Sequence, residues 1–438
     1  MTNPRKVALD LLTRVEESDS YINLLLPKML GPLKLSDADR GLVQELSYGT
    51  LRWRAQYDSF INQLTPGKVL SPRLRLCLQL GMHQLFRMRV PSHAAIHESV
   101  ELVKGFEASA AGLANAVLRN ADRAGFENLL QTSLKGARGH ESLALEHSHP
   151  QWVVTALKTA LELDSRGDEL EALLEANNQT PLVNLVALNP EAEAELESQG
   201  LERGEASPIG FISHGNPEPL LQIDGVRVQD QGSQLVALAL LAEADRSGSW
   251  LDMCSGPGGK SAVLQAGIAP YGGKLDCLEP NPQRAELVRN ALNPNGPGRV
   301  IVAPGQSAKA QSYDAILLDA PCSGLGSVRR KPESRWRKRP EQLAGLVKLQ
   351  AELLEAAAQA LKPNGVLVYS TCSPLVPETN AQIKAVLDAH PELRLENANT
   401  VLERISPKLK LNQNRKTAQL WTHLHGTDAM FIAILRKQ

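Results

Sequence analysis

Hydrophobic residues in positions 1–125 recur every three or four residues, which is the spacing of one face of a helix. Val7, Leu11 and Val15 form one such stripe. Ser36 precedes an acidic first turn, a pattern typical of a helix N-cap, and Ser92 is predicted to cap a later helix. The pattern predicts an all-helical region at the start of the chain.

Positions 126–240 mix helical and strand patterns. A helical stretch from about Gln151 to Asn177 precedes the apolar run PLVNLVALNP, which ends at Asn189 and Pro190 as a strand would. A short acidic helix with the sequence EAEAELESQG follows. Because strand and helix patterns alternate over a short length, we predict a small α+β region here.

From residue 248 onward, short apolar runs alternate with helical stretches. The runs are WLDM (250–253), KLDCLE (274–279), RVIVA (299–303), DAILLDAP (314–321), GVLVYSTC (365–372) and AMFIAIL (429–435). They are continuously apolar, which is typical of parallel strands buried on both faces. The pattern predicts a doubly wound α/β sheet of the Rossmann-like type.

These patterns divide the 438 residues into regions of 1–130, 131–240 and 241–438. With 42% hydrophobic and 22% charged residues, the composition is that of a globular protein. No apolar run approaches the ~20 residues that span a bilayer, and charges interrupt the first 20 positions, unlike a signal peptide. We therefore expect a multi-domain cytoplasmic protein that makes no membrane contact.

A glycine-rich turn connects the first strand of the predicted sheet to the helix after it. The turn comprises Cys254, Ser255, Gly256, Pro257, Gly258, Gly259 and Lys260. Glycines let backbone N–H groups approach a ligand closely. Glu279 ends the next strand, where an acid can accept hydrogen bonds from ribose hydroxyls. The combination favours a nucleoside cofactor over an empty turn.

The turn fits some nucleoside cofactors better than others. A dinucleotide fingerprint needs Gly or Ala where this chain has Ser261, and a phosphate-binding P-loop needs Gly where it has Cys254. S-adenosylmethionine has a ribose to bind but no phosphate. We therefore predict S-adenosylmethionine as the cofactor.

Two of the five cysteines follow apolar runs of the predicted sheet. Cys322 lies in DAPCSG, shortly after Asp319, and Cys372 lies in TCSP. Ligands of an open parallel sheet bind outside the carboxyl ends of its strands, so these groups converge there if the two strands are neighbours. Cys77 and Cys277 lie within apolar patterns and are interpreted as core residues. Because the chain has no CxxC pair, we expect neither disulfides nor a bound metal.

A thiol beside a methyl donor points to carbon 5 of cytosine, a poor nucleophile until a thiolate adds at C6. That reaction needs a nucleophile, an acid near N3 and a group that assists release. Cys372, Asp319 and Cys322 could supply these three roles. A methyltransferase acting on exocyclic amines would need no thiol, and typically presents [ND]-P-P-[FY] in place of DAPC.

Long motifs of this chain resemble those of the RNA cytosine-5 methyltransferase family with two active-site cysteines. They are LDMCSGPGGK, LLDAPCSGLGSVRRKPESRW and YSTCSPLVPETN, and VQDQGSQLV is similar to the segment that precedes the family's catalytic core. DRGLVQELSYGTLR, AAIHESVELVK and ANAVLRN resemble the helical domain shared with the NusB antitermination factor. The combination spans nearly the whole chain and is typical of the Sun/Fmu type.

For the cofactor, the resemblance implies contacts along the Cys254–Lys260 turn, at Glu279 and at Asp319. The family usually has Asp in a Gly-Asp pair after the third strand, and this chain has Gln306 in that place. An amide can still hydrogen-bond the adenine, so Gln306 is included among the expected cofactor contacts.

For the reaction, the resemblance implies Cys372 as the attacking nucleophile and Cys322 as the residue that assists product release. It also implies a cytosine of 16S rRNA as the target, position 967 in conventional numbering. We expect a monomer without metal. The same chemistry on tRNA stays open, as do a non-catalytic RNA-binding or antitermination-like factor and a partly assembled small subunit as the substrate.

A basic run follows the first of the two cysteines. Residues 327–339 (SVRRKPESRWRKR) hold seven basic residues and one acid, although the whole chain has 47 basic against 48 acidic residues. Residues 1–125 are also basic, with 16 Lys and Arg against 12 Asp and Glu. A charge run is often only a solvated loop. Its position and its Trp336 lead us to interpret it as a contact for RNA phosphates.

Overall fold

A computed structural model describes residues 3–18 and 20–438 of the protein. The chain divides into two compact units. A helical unit contains the residues up to Thr155 together with Val328–Arg337, and a second unit contains Ala156–Ser327 and Lys338–Gln438. Among the described residues, every helix is too short or too polar to cross a bilayer.

In the part of the chain that the structure describes, the helical unit begins with nine α-helices. They are α1 (Pro4–Glu17), α2 (Ile22–Leu30), α3 (Asp37–Arg52), α4 (Arg54–Leu64), α5 (Pro72–Arg87), α6 (Ser92–Glu107), α7 (Ala111–Ala124), α8 (Phe126–Leu134) and α9 (His140–Glu146). The predicted stripe of Val7, Leu11 and Val15 is buried in the core of this unit. The prediction of an all-helical N-terminal region is confirmed.

Side-chain caps explain where several of these helices begin. The Ser36 hydroxyl accepts from the Asp39 N–H at 3.1 Å, as predicted for the start of α3. The prediction that Ser92 caps α6 is wrong, because Ser92 is the first helical residue and Pro91 is the cap. Pro91 has the extended backbone of a cap, so the chain enters the helix one residue earlier than expected.

The basic segment, defined here as residues 328–337, is part of the helical unit and ends in a helical turn at Ser334–Arg337. Arg335 is fully buried and donates to the Ser148 carbonyl at 3.2 Å. Glu333 is also buried, and its carboxylate accepts from the Ile22 N–H at 2.7 Å. The acid and its basic neighbours are therefore used in packing within the protein.

These contacts exclude Arg329 and Arg335 from the predicted contact with RNA phosphates. Lys338 and Arg339, at the end of the basic run, are not buried, and for them the interpretation stays a prediction. Trp336 donates its indole N–H to the Leu51 carbonyl at 2.7 Å, and Arg329 is buried, with its carbonyl accepting from Arg52. A buried guanidinium such as that of Arg335 cannot reach a phosphate. The sequence shows how many basic residues this run contains, but it does not show that backbone carbonyl groups accept hydrogen bonds from their side chains.

The second unit begins with a small region of helices and antiparallel strands. Its elements are α10 (Gln151–Leu163, which contains the unit boundary), α11 (Leu170–Ala176), β1 (Val183–Ala187), α12 (Pro190–Ser198), β2 (Glu202–Arg203), β3 (Gly210–Ser213) and β4 (Val226–Val228). The four strands form a sheet in the order β2-β3-β1-β4. An α+β region was predicted here, and these elements fit that description.

The rest of the unit surrounds a larger sheet. Its elements are α13 (Gln231–Glu243), β5 (Ser249–Asp252), α14 (Gly259–Ile268), β6 (Lys274–Leu278), α15 (Pro282–Ala291), β7 (Gly298–Ile301), β8 (Tyr313–Asp319), α16 (Pro340–Ala360), β9 (Leu361–Thr371), α17 (Asn380–Ala389), β10 (Leu393–Leu395), α18 (Ala398–Ile405), β11 (Ala418–Gln419), α19 (Thr422–His425) and β12 (Phe431–Lys437). The strand order is β10-β12-β9-β8-β5-β6-β7, with β11 paired to β12.

Both faces of this sheet are covered by hydrophobic cores. Trp250 and Leu251 are neighbours on β5 that point to opposite faces, and both are fully buried. This explains why the strand sequences are continuously apolar. The Rossmann-like fold is confirmed, but the prediction that the run 429–435 is a parallel strand is wrong, since β12 pairs antiparallel with β9. A strand buried on both faces has the same pattern in either direction.

Candidate active site

The two predicted catalytic cysteines lie at the same edge of the large sheet. Strands β8 and β9 are parallel neighbours, with Asp319 opposite Ser370 in the register. Just beyond these positions, the sulfur atoms of Cys322 and Cys372 are 3.3 Å apart. The condition on which the convergence depended, that these two strands are neighbours, is therefore met.

Asp319 is held from two sides. Its Oδ2 accepts from the Lys260 ammonium at 2.6 Å, and its Oδ1 accepts from the Ser370 hydroxyl at 2.9 Å. Burial lowers the pKa of Lys260, but the charge and the hydrogen bond of Asp319 outweigh this effect, and the Lys260 pKa is raised. Lys260 therefore carries a proton beside Asp319 at neutral pH. Lys260 was predicted as part of the cofactor turn.

The thiol of Cys322 is held in its protonated form. Its hydrogen bond with Cys372 and then its burial raise the pKa of Cys322 well above the ordinary value for a thiol. In this arrangement one sulfur is the donor and its neighbour is the acceptor. The two thiols of the pair therefore cannot act as thiolates at the same time.

The glycine-rich turn starts at the end of β5 and closes into α14. Ser255 donates its N–H to the Leu278 carbonyl at 3.0 Å, and the Gly258 N–H donates to the Ser255 carbonyl at 2.7 Å. Gly258 has φ of +103°, and a Cβ at this residue would lie 2.5 Å from Ala291. Glycine is therefore required both by the backbone conformation and by the close packing.

Glu279 lies against the same turn. It is buried, and a Cβ at Gly256 would lie 2.1 Å from its Oε2, so a side chain at Gly256 would displace the carboxylate. Arg284 donates to the Gly256 carbonyl at 2.7 Å and lies 3.5 Å from Oε2 of Glu279. The acid thus lies beside the turn, as its sequence position predicted.

Gln306 lies in a short turn, Gly305–Ser307, after β7. Its side chain is exposed, whereas Gly305 is buried and a Cβ there would lie 2.9 Å from the Met253 carbonyl. The backbone of this turn therefore approaches the end of β5 closely. A Cβ at Gly256, Gly258 or Gly305 would clash with a neighbouring atom of the protein, so close packing requires glycine at all three positions. The group here that suits a nucleoside cofactor such as S-adenosylmethionine is the buried Glu279 carboxylate, which can accept hydrogen bonds from ribose hydroxyls.

A buried carboxylate behind the cysteines was missed by the sequence analysis. Glu378 is fully buried and accepts hydrogen bonds from the Ser323 hydroxyl at 2.6 Å and the Ser373 hydroxyl at 2.5 Å. Ser323 and Ser373 directly follow Cys322 and Cys372. Glu378 is part of the motif YSTCSPLVPETN, but nothing local in that motif indicates that its carboxylate is buried between two loops.

Comparison with known proteins gives the family of this chain. Residues 238–436 match the family model of 16S rRNA methyltransferase RsmB/F, and residues 2–123 match that of the NusB family. A putative methyltransferase, Rv1407 of Mycobacterium tuberculosis, is 38% identical over 99% of this chain and 96% of its own length. The probable ribosomal RNA small subunit methyltransferase B of Bacillus subtilis is 31% identical over 100% of this chain and 99% of its own length.

Solved structures show the same fold. The crystal structure of PH0851 superposes with a TM-score of 0.76 at 20% identity, over 100% of this chain and 99% of that one. The two family models confirm the RsmB/F methyltransferase and NusB parts of the resemblance found in the sequence motifs. The chain belongs to the RsmB/F family of 16S rRNA methyltransferases.

Proposed function

We propose that this chain transfers a methyl group to carbon 5 of one cytosine in 16S rRNA, position 967 in conventional numbering, through a covalent bond between Cys372 and C6. One observation carries the proposal. The sulfur atoms of Cys322 and Cys372 lie 3.3 Å apart at the ends of neighbouring parallel strands. Two thiols this close can act in turn on one base, one as nucleophile and the other in release.

S-adenosylmethionine is the cofactor of this family, and when bound it supplies the methyl group. The Cys254–Lys260 turn, Glu279 and Gln306 would hold it, with Asp319 at the border between cofactor and base. The buried Glu279 carboxylate beside the turn supports this assignment, because an acid at the end of this strand can accept hydrogen bonds from ribose hydroxyls. Gln306 would contribute an amide where the family usually has a carboxylate.

In the first step, the thiolate of Cys372 forms a bond to C6 of the target cytosine. The electron pair of the C5–C6 double bond moves into the ring and N3 takes up a proton, so that C5 becomes nucleophilic. The proton comes from the pair formed by Lys260 and Asp319, in which the Lys260 ammonium donates a hydrogen bond to the Asp319 carboxylate and is left as a neutral amine after the transfer. C5 then takes the methyl group. A cytosine within a helix has to leave its base stack to reach these residues.

In the last step, C5 loses its proton, the C5–C6 double bond forms again, Cys372 leaves as a thiolate and N3 returns its proton to the pair formed by Lys260 and Asp319. Cys322 takes the C5 proton as the base in this step, after its own proton has passed to solvent. Its pKa is raised mainly by the hydrogen bond with Cys372, and that cause disappears when the Cys372 sulfur is bonded to C6. The adduct itself therefore makes Cys322 easier to deprotonate, at the stage when a base is needed.

In this proposal the three regions of the chain have different roles. Residues 1–130 and 131–240 bind RNA, and residues 241–438 bind the cofactor and carry out the transfer. We expect the enzyme to act as a monomer in the cytoplasm, without a metal.

Incubation with tritiated S-adenosylmethionine and unmethylated 16S rRNA, followed by mapping of the labelled base, tests the proposal. Label at C5 of a single cytosine is the expected result. Label on an exocyclic amine or a ribose would contradict the C5 chemistry, and label on tRNA alone would contradict the substrate. Absence of label from total RNA, with S-adenosylmethionine still bound, would contradict the proposed activity.

A further inference from the structure

Behind the two cysteines lies a polar network that the proposed chemistry does not use directly. The Glu378 carboxylate accepts from the Ser323 N–H at 2.7 Å, the Ser323 hydroxyl at 2.6 Å, the Ser373 hydroxyl at 2.5 Å and the Gln350 amide at 3.2 Å. All four donors are uncharged groups. A buried carboxylate is costly unless its oxygens are satisfied in this way.

The donors connect the two loops that bear the thiols. Ser323 follows Cys322 at the end of β8, and Ser373 follows Cys372 at the end of β9. Their hydroxyls also lie 3.0 Å apart. A single carboxylate therefore binds the residue next to each thiol.

Two further contacts hold this carboxylate and its loops in place. The Tyr369 hydroxyl donates to the Glu378 carbonyl at 2.7 Å, and the Gln350 amide donates to the Pro321 carbonyl at 2.8 Å. Tyr369 and Gln350 belong to β9 and α16, which are regular elements of the core. The position of Glu378 is thus fixed by the sheet and by a helix rather than by the loops that it connects.

We propose that Glu378 is a positioning residue that sets the separation of the Cys322 and Cys372 thiols, and thereby the rate at which the methylated base is released. Glu378 is fully buried, so it acts through the two serines and not on the substrate. Of the two thiols, attack on C6 uses only Cys372. Release needs Cys322 at the correct distance from a base already bonded to Cys372, so release is the step that depends on the spacing.

This inference rests on the proposed function, because it assigns a consequence to the release step. Glu378→Gln is the main variant. It replaces one carboxylate oxygen, which accepts hydrogen bonds, by an N–H₂ group, which can only donate them. Glu243→Gln is a matched control. Glu243 is a partly buried carboxylate that pairs with Arg404 and Arg436, and Arg436 lies opposite Val366, at the end of β9 away from the cysteines.

The experiment measures turnover, the dissociation constant of S-adenosylmethionine and the fraction of enzyme bound covalently to 16S rRNA on a denaturing gel. For Glu378→Gln we expect kcat to fall about 100-fold, as for a catalytic group misplaced by about 1 Å. Cofactor binding should stay within about twofold of wild type, and the covalent RNA adduct should accumulate. Glu243→Gln should match wild type in all three, and Glu378→Asp should recover part of the lost kcat.

Other results would contradict a positioning role of Glu378. If Glu378→Gln turns over within about twofold of Glu243→Gln, or loses cofactor binding and turnover in the same proportion, Glu378 does not position the thiols. Should Glu378→Gln fail to fold, Ser323→Ala and Ser373→Ala each remove one donor, and both should accumulate adduct. No adduct in either would also overturn the inference.

Cys322→Ala in the same assay separates this inference from the proposed function. If Cys322→Ala accumulates the adduct and Glu378→Gln does not, only the positioning role is lost. If neither accumulates it and Cys372→Ala still methylates RNA, the proposed covalent chemistry is wrong as well.

Discussion

Cys277 and the pair formed by Cys322 and Cys372 lie in or directly after strands of the same sheet, yet their surroundings differ. Cys277 is inside β6, fully buried in a hydrophobic core, and burial raises its pKa far above the ordinary value. Cys322 and Cys372 lie just beyond the ends of β8 and β9, partly accessible and 3.3 Å apart. Position along a strand, rather than residue type, decides whether a thiol is packed or presented to a substrate.

Removing the nucleophile should give the largest effect. With Cys372→Ala, methyl transfer should fall to background because no other group can form the bond to C6. S-adenosylmethionine should bind as to wild type, since the expected cofactor contacts are made by other residues. A tritium-transfer assay and calorimetric titration measure both quantities. Appreciable turnover would show that Cys372, like Cys277, is not needed for catalysis.

Removing the second thiol should stop the reaction at a later point. With Cys322→Ala, turnover should fall by about 100-fold or more, as when a general base is lost. The RNA adduct should persist and migrate as a slow band on a denaturing gel. Normal turnover with clean release would show that the proximity of the two sulfurs has no role in catalysis.

A change of pH should alter the rate of release relative to the rate of attack, and therefore the fraction of enzyme bound covalently to RNA. In the adduct the hydrogen bond with Cys372 is lost, but burial still raises the pKa of Cys322, so its thiolate fraction at neutral pH is small and grows by up to about tenfold per pH unit below that pKa. We therefore expect the adduct fraction of wild type to fall as pH rises from 7 to 9. The adduct fraction of Cys322→Ala should show no such fall. An adduct fraction that rises with pH in wild type would contradict the assignment of Cys322 as the base.

Removing the packed thiol should give the smallest effect. Cys277→Ala should lower the free energy of unfolding by about 1–2 kcal/mol through the cavity that it leaves. Activity per folded molecule should be unchanged, because Cys277 lies within β6 rather than at its end. Denaturant unfolding together with the methyl-transfer assay checks both statements, and a specific loss of activity would remove the contrast between the two positions.

The residues at strand ends could be predicted from sequence because the relevant patterns are local. The apolar run before Cys322, the run before Cys372 and the turn after β5 each indicate a strand end, and parallel strands place such ends on one edge. Whether a strand runs parallel or antiparallel to its neighbour was harder to predict from sequence. β12 is antiparallel, and its sequence contains nothing that distinguishes it from a parallel strand buried on both faces.

The hydrogen bonds that buried polar side chains make with distant parts of the chain could not be predicted. Glu378 binds Ser323, 55 residues earlier in the chain, and Arg335 donates to Ser148, 187 residues earlier. Each side chain is polar, and in sequence each looks like a surface residue. Its burial depends on backbone and hydroxyl groups that only the folded chain brings to it.

The basic segment also affects the order in which the protein folds during synthesis. The helical unit includes residues up to Thr155 but also Val328–Arg337, so its last part is made after most of the second unit has been translated. At a synthesis rate of ~5–20 residues per second, Ser148 waits about 10–40 s for Arg335, which lies 187 residues later in the chain. Until then, Ser148 and Leu51 lack the partners they have in the native state. Ribosome-bound chains that have exposed residue 155 but not residue 337 should be cleaved in this unit by protease faster than chains that have exposed both.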